Sequence, residues 1–176
     1  VMGRPTGVVE AARFQQSKHA LVGVVDAALA SVRSRFDVVV CEGAGSPAEI
    51  NLLRDDLVNL GLARRSGIPA IVVGDIERGG VFAHLFGTVA LLPDELSSHV
   101  QGFVINRFRG DRALLGGATA ELEDRCGVPT LGVLPHLGAL DLDAEDSLAL
   151  VRPSGPPPPA AAGLDVAAIR LPRLSN

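Results

Sequence analysis

VVVCEGAGSPAEINLL, residues 38–53, decides how the rest of this 176-residue sequence is read. Three valines and a cysteine are apolar on both faces, as expected of a strand buried in a parallel sheet. The run stops at a carboxylate, Glu42, and Gly43, Ala44, Gly45, Ser46 and Pro47 form a turn. A polar triplet, Glu49-Ile50-Asn51, follows. Open α/β sheets bind their ligands just beyond the carboxyl ends of their strands. This junction is therefore the first candidate site.

The same pattern repeats downstream. Ala70–Asp75 reads as a second apolar strand ending on a carboxylate, and Ile76-Glu77-Arg78-Gly79-Gly80 opens a helix that runs to about Leu91. Gly102–Asn106 is a third strand, leading into Arg107-Phe108-Arg109-Gly110-Asp111, and Thr130–Leu134 is a fourth, closed by Pro135-His136. Upstream, Phe36–Cys41 is the opening strand. A helix from about Ser17 precedes it, with Val22, Val25, Leu29 and Val32 on one face and a basic end at Arg33-Ser34-Arg35. Residues 1–16, with Gly3, Pro5 and Gly7, read as an irregular entry. Asp55–Arg65 reads as a helix with Leu57, Leu60 and Ala63 inward, ended by Gly67 and Pro69. Pro93–Leu96 is a short extra turn, and Arg112–Arg125 a last helix.

Strands alternating with helices of this length predict an α/β fold, a doubly wound and mostly parallel sheet with right-handed crossovers. The loops after the first three strands then leave one edge of the sheet. Glu42, Asp75, Asn106 and Arg107 are expected to converge there.

Composition narrows the function. Hydrophobic residues make up 47% of the sequence, which fits a globular domain, and the net charge of −4 disfavours nucleic acid or anionic membrane as the main partner. No apolar run is long enough for a membrane helix, and the expected location is cytoplasmic. Lys18 is the only lysine among 16 basic residues and lies outside any glycine-rich setting, so it does not form a phosphate-binding P-loop. The cysteines, Cys41 and Cys126, show neither zinc spacing nor a disulfide framework, and Cys41 is read as a small buried hydrophobe. His19, His84, His99 and His136 are dispersed and read as structural or surface residues.

Two carboxylates at neighbouring strand ends, Glu42 and Asp75, can hold Mg²⁺ through oxygen and water, with substrate phosphates completing the shell. Each can equally cap the helix that follows it. Arg78-Gly79-Gly80 offers backbone N–H groups at a helix N-terminus, a ready anion site. Asn106-Arg107 can read a nucleobase edge or simply begin a loop.

Four long motifs give these positions a context. EGAGSPAEINL (Glu42–Leu52), VGDIERGGVFA (Val73–Ala83), GFVINRFRGD (Gly102–Asp111) and LGVLPH (Leu131–His136) resemble the cobyric acid synthase family, as does the terminal IRLPRLSN (Ile169–Asn176). The resemblance runs in order along nearly the whole chain. It implies an ATP-binding domain similar to dethiobiotin synthetase, a P-loop NTPase-like fold. The implied activity is ATP- and glutamine-dependent amidation in cobalamin biosynthesis. The b, d, e and g carboxylates of adenosylcobyrinic acid a,c-diamide become amides through acyl phosphates.

On that resemblance Glu42 helps bind Mg²⁺–ATP, and Asp75 lies beside the phosphates. Gly43, Gly45, Arg78, Gly79 and Gly80 line the nucleotide, and Asn106 and Arg107 take the place that meets adenine. Asp55 and Asp56 are candidates for the corrinoid wall, Asp56 with a catalytic role. The implied partners are the corrinoid substrate and a glutaminase domain; a homo-oligomer is compatible with the reading.

The family's P-loop is expected upstream of Val1 and the glutaminase nucleophile downstream of Asn176. The chain is thus read as a partial amidation domain over 1–150, without the N-terminal P-loop unit. A Pro/Ala-rich linker over 151–163 and the first strand of the glutaminase over 164–176 complete it. The fragment itself is expected to be inactive. The acidic loop 141–146 is read as either a solvated face or a binding element. Two alternatives stand beside the enzyme: a non-catalytic corrinoid- or partner-binding pseudoenzyme, and a partitioning-type ATPase switch.

Overall fold

The computed structural model describes residues 1–5, 7 and 11–137. The fold lies within a compact unit, Val1–His136. The linker, the acidic loop and the terminal strand expected beyond it lie outside the described residues.

Three strands, β1 (Ala70–Asp75), β2 (Val100–Phe108) and β3 (Thr130–Pro135), form a parallel sheet in the order β1-β2-β3. All three fall where the apolar runs place them, and β2 extends further at both ends. Register pairs Val73 with Val104, Gly74 with Ile105 and Asp75 with Asn106. The polar ends of β1 and β2 are therefore direct neighbours.

Helix α3 (Val81–Leu91) carries the chain from β1 towards β2, followed by the short α4 (Asp94–Ser97). Helix α5 (Ala118–Cys126) lies between β2 and β3. The two longer helices pack on each other, α3 also on β1 and β2 and α5 on β3. Phe103, Ile105, Leu85 and Val81 form the most deeply buried part of the resulting core, joined by Leu60, Leu96 and Leu122. Gly74 is a packing requirement there: a Cβ would lie 2.7 Å from Val81 and 3.1 Å from Leu85. The absence of that side chain lets α3 sit close on β1, which fixes its N-terminus beside Asp75. Ile71 and Val73, by contrast, are 55% and 59% exposed on β1.

Four sequence expectations are corrected. Phe36–Cys41 is not a strand: it forms no ladder, Val38 and Val40 are 79% and 89% exposed, and Cys41 is exposed. A β-propensity is realised only against a hydrogen-bonded neighbour, and this segment has none among the described residues. Helix α1 (Ala11–Arg33) begins well before Ser17. Alanine and glutamine near its start are good helix formers, whereas the glycines and proline that suggested irregularity all precede it.

The expected Asp55–Arg65 helix is divided into a 3-10 turn, Leu53–Asp55, and α2 (Leu60–Ser66). The Asp56 carboxylate causes the break. Its Oδ1 accepts from the N–H groups of Val58 and Asn59 (3.2 and 2.9 Å), and its Oδ2 from that of Gly61 (2.8 Å). Such side-chain bonds compete with helix continuation and favour a new start. Similarly, Arg112–Leu115 is a 3-10 turn, and α5 starts only after Gly116-Gly117. The inward set Leu57, Leu60 and Ala63 is buried as expected, and Gly67 ends α2 in the left-handed conformation, φ 61°.

Gly61 supplies a test of the Asp56 break. A Cβ there would lie 2.2 Å from the Asp56 carbonyl oxygen, which is backbone and cannot swing away. Alanine normally stabilises a helix relative to glycine. Here Gly61→Ala is expected to destabilise by about 2–3 kcal/mol, from overpacking plus partial loss of the cap. A urea unfolding midpoint equal to or above that of the parent would refute this account.

Candidate nucleotide site at the sheet edge

The carboxyl edge of the sheet gathers Asp75, Glu77, Asn106, Arg107, Arg109 and His136. Asp75 ends β1; its Oδ1 accepts from the Glu77 N–H (2.8 Å), and its Oδ2 pairs with Arg107 Nη1 (3.2 Å). The Asn106 carbonyl accepts from the Ile76 N–H (3.1 Å), which ties the loop after β1 to β2. Asn106 Oδ1 accepts from the Arg107 N–H (2.8 Å).

Arg107 has φ 63°, a left-handed conformation at a non-glycine residue. That conformation costs about 1–2 kcal/mol for an L side chain. It also directs the guanidinium back across the edge, where Nη2 pairs with Glu77 Oε2.

Glu77 receives more than Arg107. Its Oε1 accepts from Arg109 Nη2 (2.7 Å) and Nε (3.2 Å), and His136 Nε2 lies 3.8 Å from the same oxygen. Arg109 Nη2 also meets His136 Nε2. The Arg109 hydrogen bond holds the Glu77 carboxyl below the usual carboxylate range; partial burial opposes this, and the charges of Arg107, Arg109 and His136 add to it. Because the folded-state value is lowered, the associated stability is present above the ordinary value of 4.5. It is lost as pH falls through the depressed value. Because these groups are largely exposed, unfolding temperatures of the parent and Glu77→Gln are expected to differ only slightly at neutral pH and to converge on acidification below the ordinary value. A gap that stays constant down to that acid range would contradict the assignment.

Beyond Glu77 the chain turns through Arg78, Gly79 and Gly80. Gly79 (φ 77°) donates its N–H to the Ile76 carbonyl, and Gly80 (φ 72°) immediately precedes α3. The first N–H groups of α3 are left without helical acceptors, so they and the helix dipole favour an anion here.

The loop from Glu42 is built separately. Asn59 grips Ala44 at both backbone groups, accepting from its N–H (3.0 Å) and donating to its carbonyl (2.9 Å). Gly43 makes this possible, since a Cβ would lie 2.0 Å from Asn59 Oδ1. Gly45 adopts φ 70°, and turns through Ser46, Glu49 and Leu52 follow. Beside this loop is a cavity of about 260 Å³, lined by residues that include Lys18, Ser46, Pro47, Glu49, Asp56 and Asn59. Asp55 pairs with His19 (2.9 Å), and Asp56 is committed to the backbone N–H groups at the start of α2.

The sequence-predicted residues thus fall into two groups. Asp75, Asn106 and Arg107 meet at the strand ends, next to the Arg78-Gly79-Gly80 turn. Asp56 lies beside the Asn59-held loop of Gly43 and Gly45, and Asp55 pairs with His19. Glu42 is exposed and forms no hydrogen bond or ion pair among the described residues. Glu77, Arg109 and His136 escaped the sequence reading. Their signal was a set of opposite charges at consecutive strand ends, readable only once Asp75 is placed opposite Asn106.

The three parallel strands, the crossover helices and a polar carboxyl edge define the class, an α/β nucleotide-binding domain similar to the dethiobiotin synthetase-like P-loop NTPases. Residues 7–144 match the family model described as AAA domain, and the chain belongs to that family. It is also homologous throughout to cobyric acid synthases. It is 54% identical to the cobyric acid synthase of Mycobacterium sp. (strain KMS) and 55% identical to that of Rhodococcus jostii, in each case over all of this chain. The protein of the same name from Corynebacterium efficiens is 49% identical over 99% of the chain. The chain spans 36%, 35% and 36% of the lengths of these relatives. No solved structure matches it significantly.

Family membership points to ATP as the bound nucleotide. Among the described residues no helix is long and apolar enough to cross a membrane, and no group of three or more His, Cys, Asp and Glu forms a metal cluster. The chemistry required by Mg²⁺ is nevertheless less demanding than such a cluster. One or two carboxylates suffice when water and phosphate complete the shell. Each Asp75 oxygen retains a lone pair beyond the bond it accepts, so Asp75 can serve as one such carboxylate.

Proposed function

We propose that the chain forms part of a cobyric acid synthase and binds Mg²⁺–ATP along the carboxyl edge of its sheet. The whole protein would amidate the b, d, e and g carboxylates of adenosylcobyrinic acid a,c-diamide with glutamine-derived ammonia, giving adenosylcobyric acid. The observation that carries this reading is the meeting of Asp75, Asn106 and Arg107 at adjacent strand ends in a chain 54% identical over its whole length to a cobyric acid synthase.

In this reading Asn106 and Arg107 meet the adenine, and the Gly79-Gly80 turn with the start of α3 faces the phosphates. Glu42 and Asp75 would hold Mg²⁺, which when bound neutralises phosphate charge as the γ-phosphoryl group moves to a substrate carboxylate. Ammonia then attacks the acyl phosphate and phosphate leaves. The Ala44–Asn59 loop, with its cavity, is the proposed corrinoid side, bounded by Asp55 and Asp56.

For the chain outside the sheet we propose a linker over 151–163 and the beginning of a glutaminase domain over 164–176. Charge stabilisation on the moving phosphoryl group needs a P-loop lysine. The sequence contains no Gly-Lys-Ser or Gly-Lys-Thr motif, and its only lysine is Lys18. The 176-residue chain alone is therefore expected to bind Mg²⁺–ATP but not to turn it over. Calorimetry with Mg²⁺–ATP and a phosphate-release assay check the two halves. Absence of binding would overturn the nucleotide assignment, and glutamine-dependent amidation by this chain would overturn its inactivity.

A further inference from the structure

We propose that Glu77 is the positioning residue of this edge, a single carboxylate that holds Arg107 and Arg109 in fixed orientations across the three strand ends. Its nucleotide-binding part rests on the function proposed above.

Three observations carry the inference. Glu77 uses both oxygens: Oε2 takes Arg107 Nη2, and Oε1 takes Arg109 through Nη2 at 2.7 Å and Nε at 3.2 Å. The loop that bears Glu77 is itself held, since Asp75 Oδ1 accepts the Glu77 N–H and the Asn106 carbonyl accepts the Ile76 N–H. Arg107 occupies the left-handed conformation, so its side chain starts from a backbone geometry that an L residue rarely adopts without surrounding restraint. His136, from just beyond β3, completes the set beside Arg109 and Glu77.

These groups are exposed or half-buried, and exposed ion pairs contribute little to stability. What a shared carboxylate supplies instead is orientation. The planar guanidinium presents its donors in a rigid fork, so fixing two of them fixes the rest. Arg107 then retains donors in a defined direction for the polar edge of a ligand. Each arginine comes from β2 or the residue just after it, whereas Glu77 comes from the loop after β1. Glu77 consequently couples the phosphate-facing turn to the base-facing residues.

The test uses the 176-residue chain and two readouts. Nitrogen-15 spectra of the arginine side chains should show the Arg109 Nε–H, bonded to Glu77, and the Arg107 Nη groups, bonded to Glu77 and Asp75, as distinct, slowly exchanging signals. In Glu77→Gln the Arg109 Nε–H should move to the averaged position of free arginine and Arg107 Nη2 should lose its distinct signal, while Arg107 Nη1 keeps Asp75, with the amide fold unchanged. In calorimetry with Mg²⁺–ATP, Glu77→Gln and Arg107→Lys should each weaken affinity about tenfold, and the double variant should be no weaker than either single one. Unchanged arginine signals in Glu77→Gln would overturn the proposal, as would losses that multiply in the double variant. If the parent chain binds no nucleotide, the functional reading fails, and the arginine spectra still decide whether Glu77 positions the two side chains.

Discussion

Phe103→Ala is expected to destabilise the domain by about 3–5 kcal/mol, the range for removing a fully buried aromatic ring. Phe103 is 0% exposed in the centre of β2, within the cluster formed by α3, α5 and the strands. Its backbone also matters to the sheet, because its N–H donates to the Pro129 carbonyl at 2.8 Å, but that bond survives the substitution. The loss is therefore one of packing and burial. Small domains are stable by only about 5–15 kcal/mol, so this single change would remove a large fraction of the total. Leu131→Ala makes the comparison, since Leu131 is more than half exposed on β3. Urea denaturation should show a small shift for Leu131→Ala and a large one for Phe103→Ala. Equal shifts would mean that the core is centred elsewhere.

The second large effect concerns binding. Asp75→Ala removes an acceptor for the Glu77 N–H, a partner of Arg107 and a proposed Mg²⁺ ligand together. Affinity for Mg²⁺–ATP is expected to fall about a hundredfold, the upper range for losing a group that orients a metal site. Asp75→Asn separates the contributions. It preserves an oxygen acceptor for the Glu77 N–H while deleting the charge. If the charge is what matters, Asn should bind nearly as poorly as Ala while retaining the parent's unfolding temperature. Parent-like affinity in Asp75→Asn would remove Asp75 from the metal assignment and leave it an anchor for the loop.

Much of the architecture was legible because each strand combined an apolar run with a sharp polar ending. Gly74-Asp75 and Asn106-Arg107 marked strand ends, Gly67 marked the end of α2, and Pro93 marked the passage from α3 to α4. The errors share a physical origin. Phe36–Cys41 has the composition of a strand, but pairing is a property of two segments, not one. The helix expected from Asp55 carried a good apolar pattern, but periodicity did not register that Asp56 would bond three nearby N–H groups.

The site was legible to the same extent. Residue type and strand-end placement identified Asp75, Asn106 and Arg107, and the structure brings them together. Glu77 and Arg109 looked like ordinary loop charges until the pairing of Asp75 with Asn106 brought their loops side by side. His136 joined them only because β3 lies next to β2. Those relations depend on register and sheet order, which the local sequence does not contain.

The backbone of Arg107 has one more consequence. At φ 63° glycine would be at ease, and an arginine is not. Mutation to glycine would relax the main chain while deleting every contact of the guanidinium with Asp75 and Glu77. Stability and recognition thus pull in opposite directions at this position. A screen for heat resistance alone would tend to select against the arginine, whereas a screen for ligand capture would retain it.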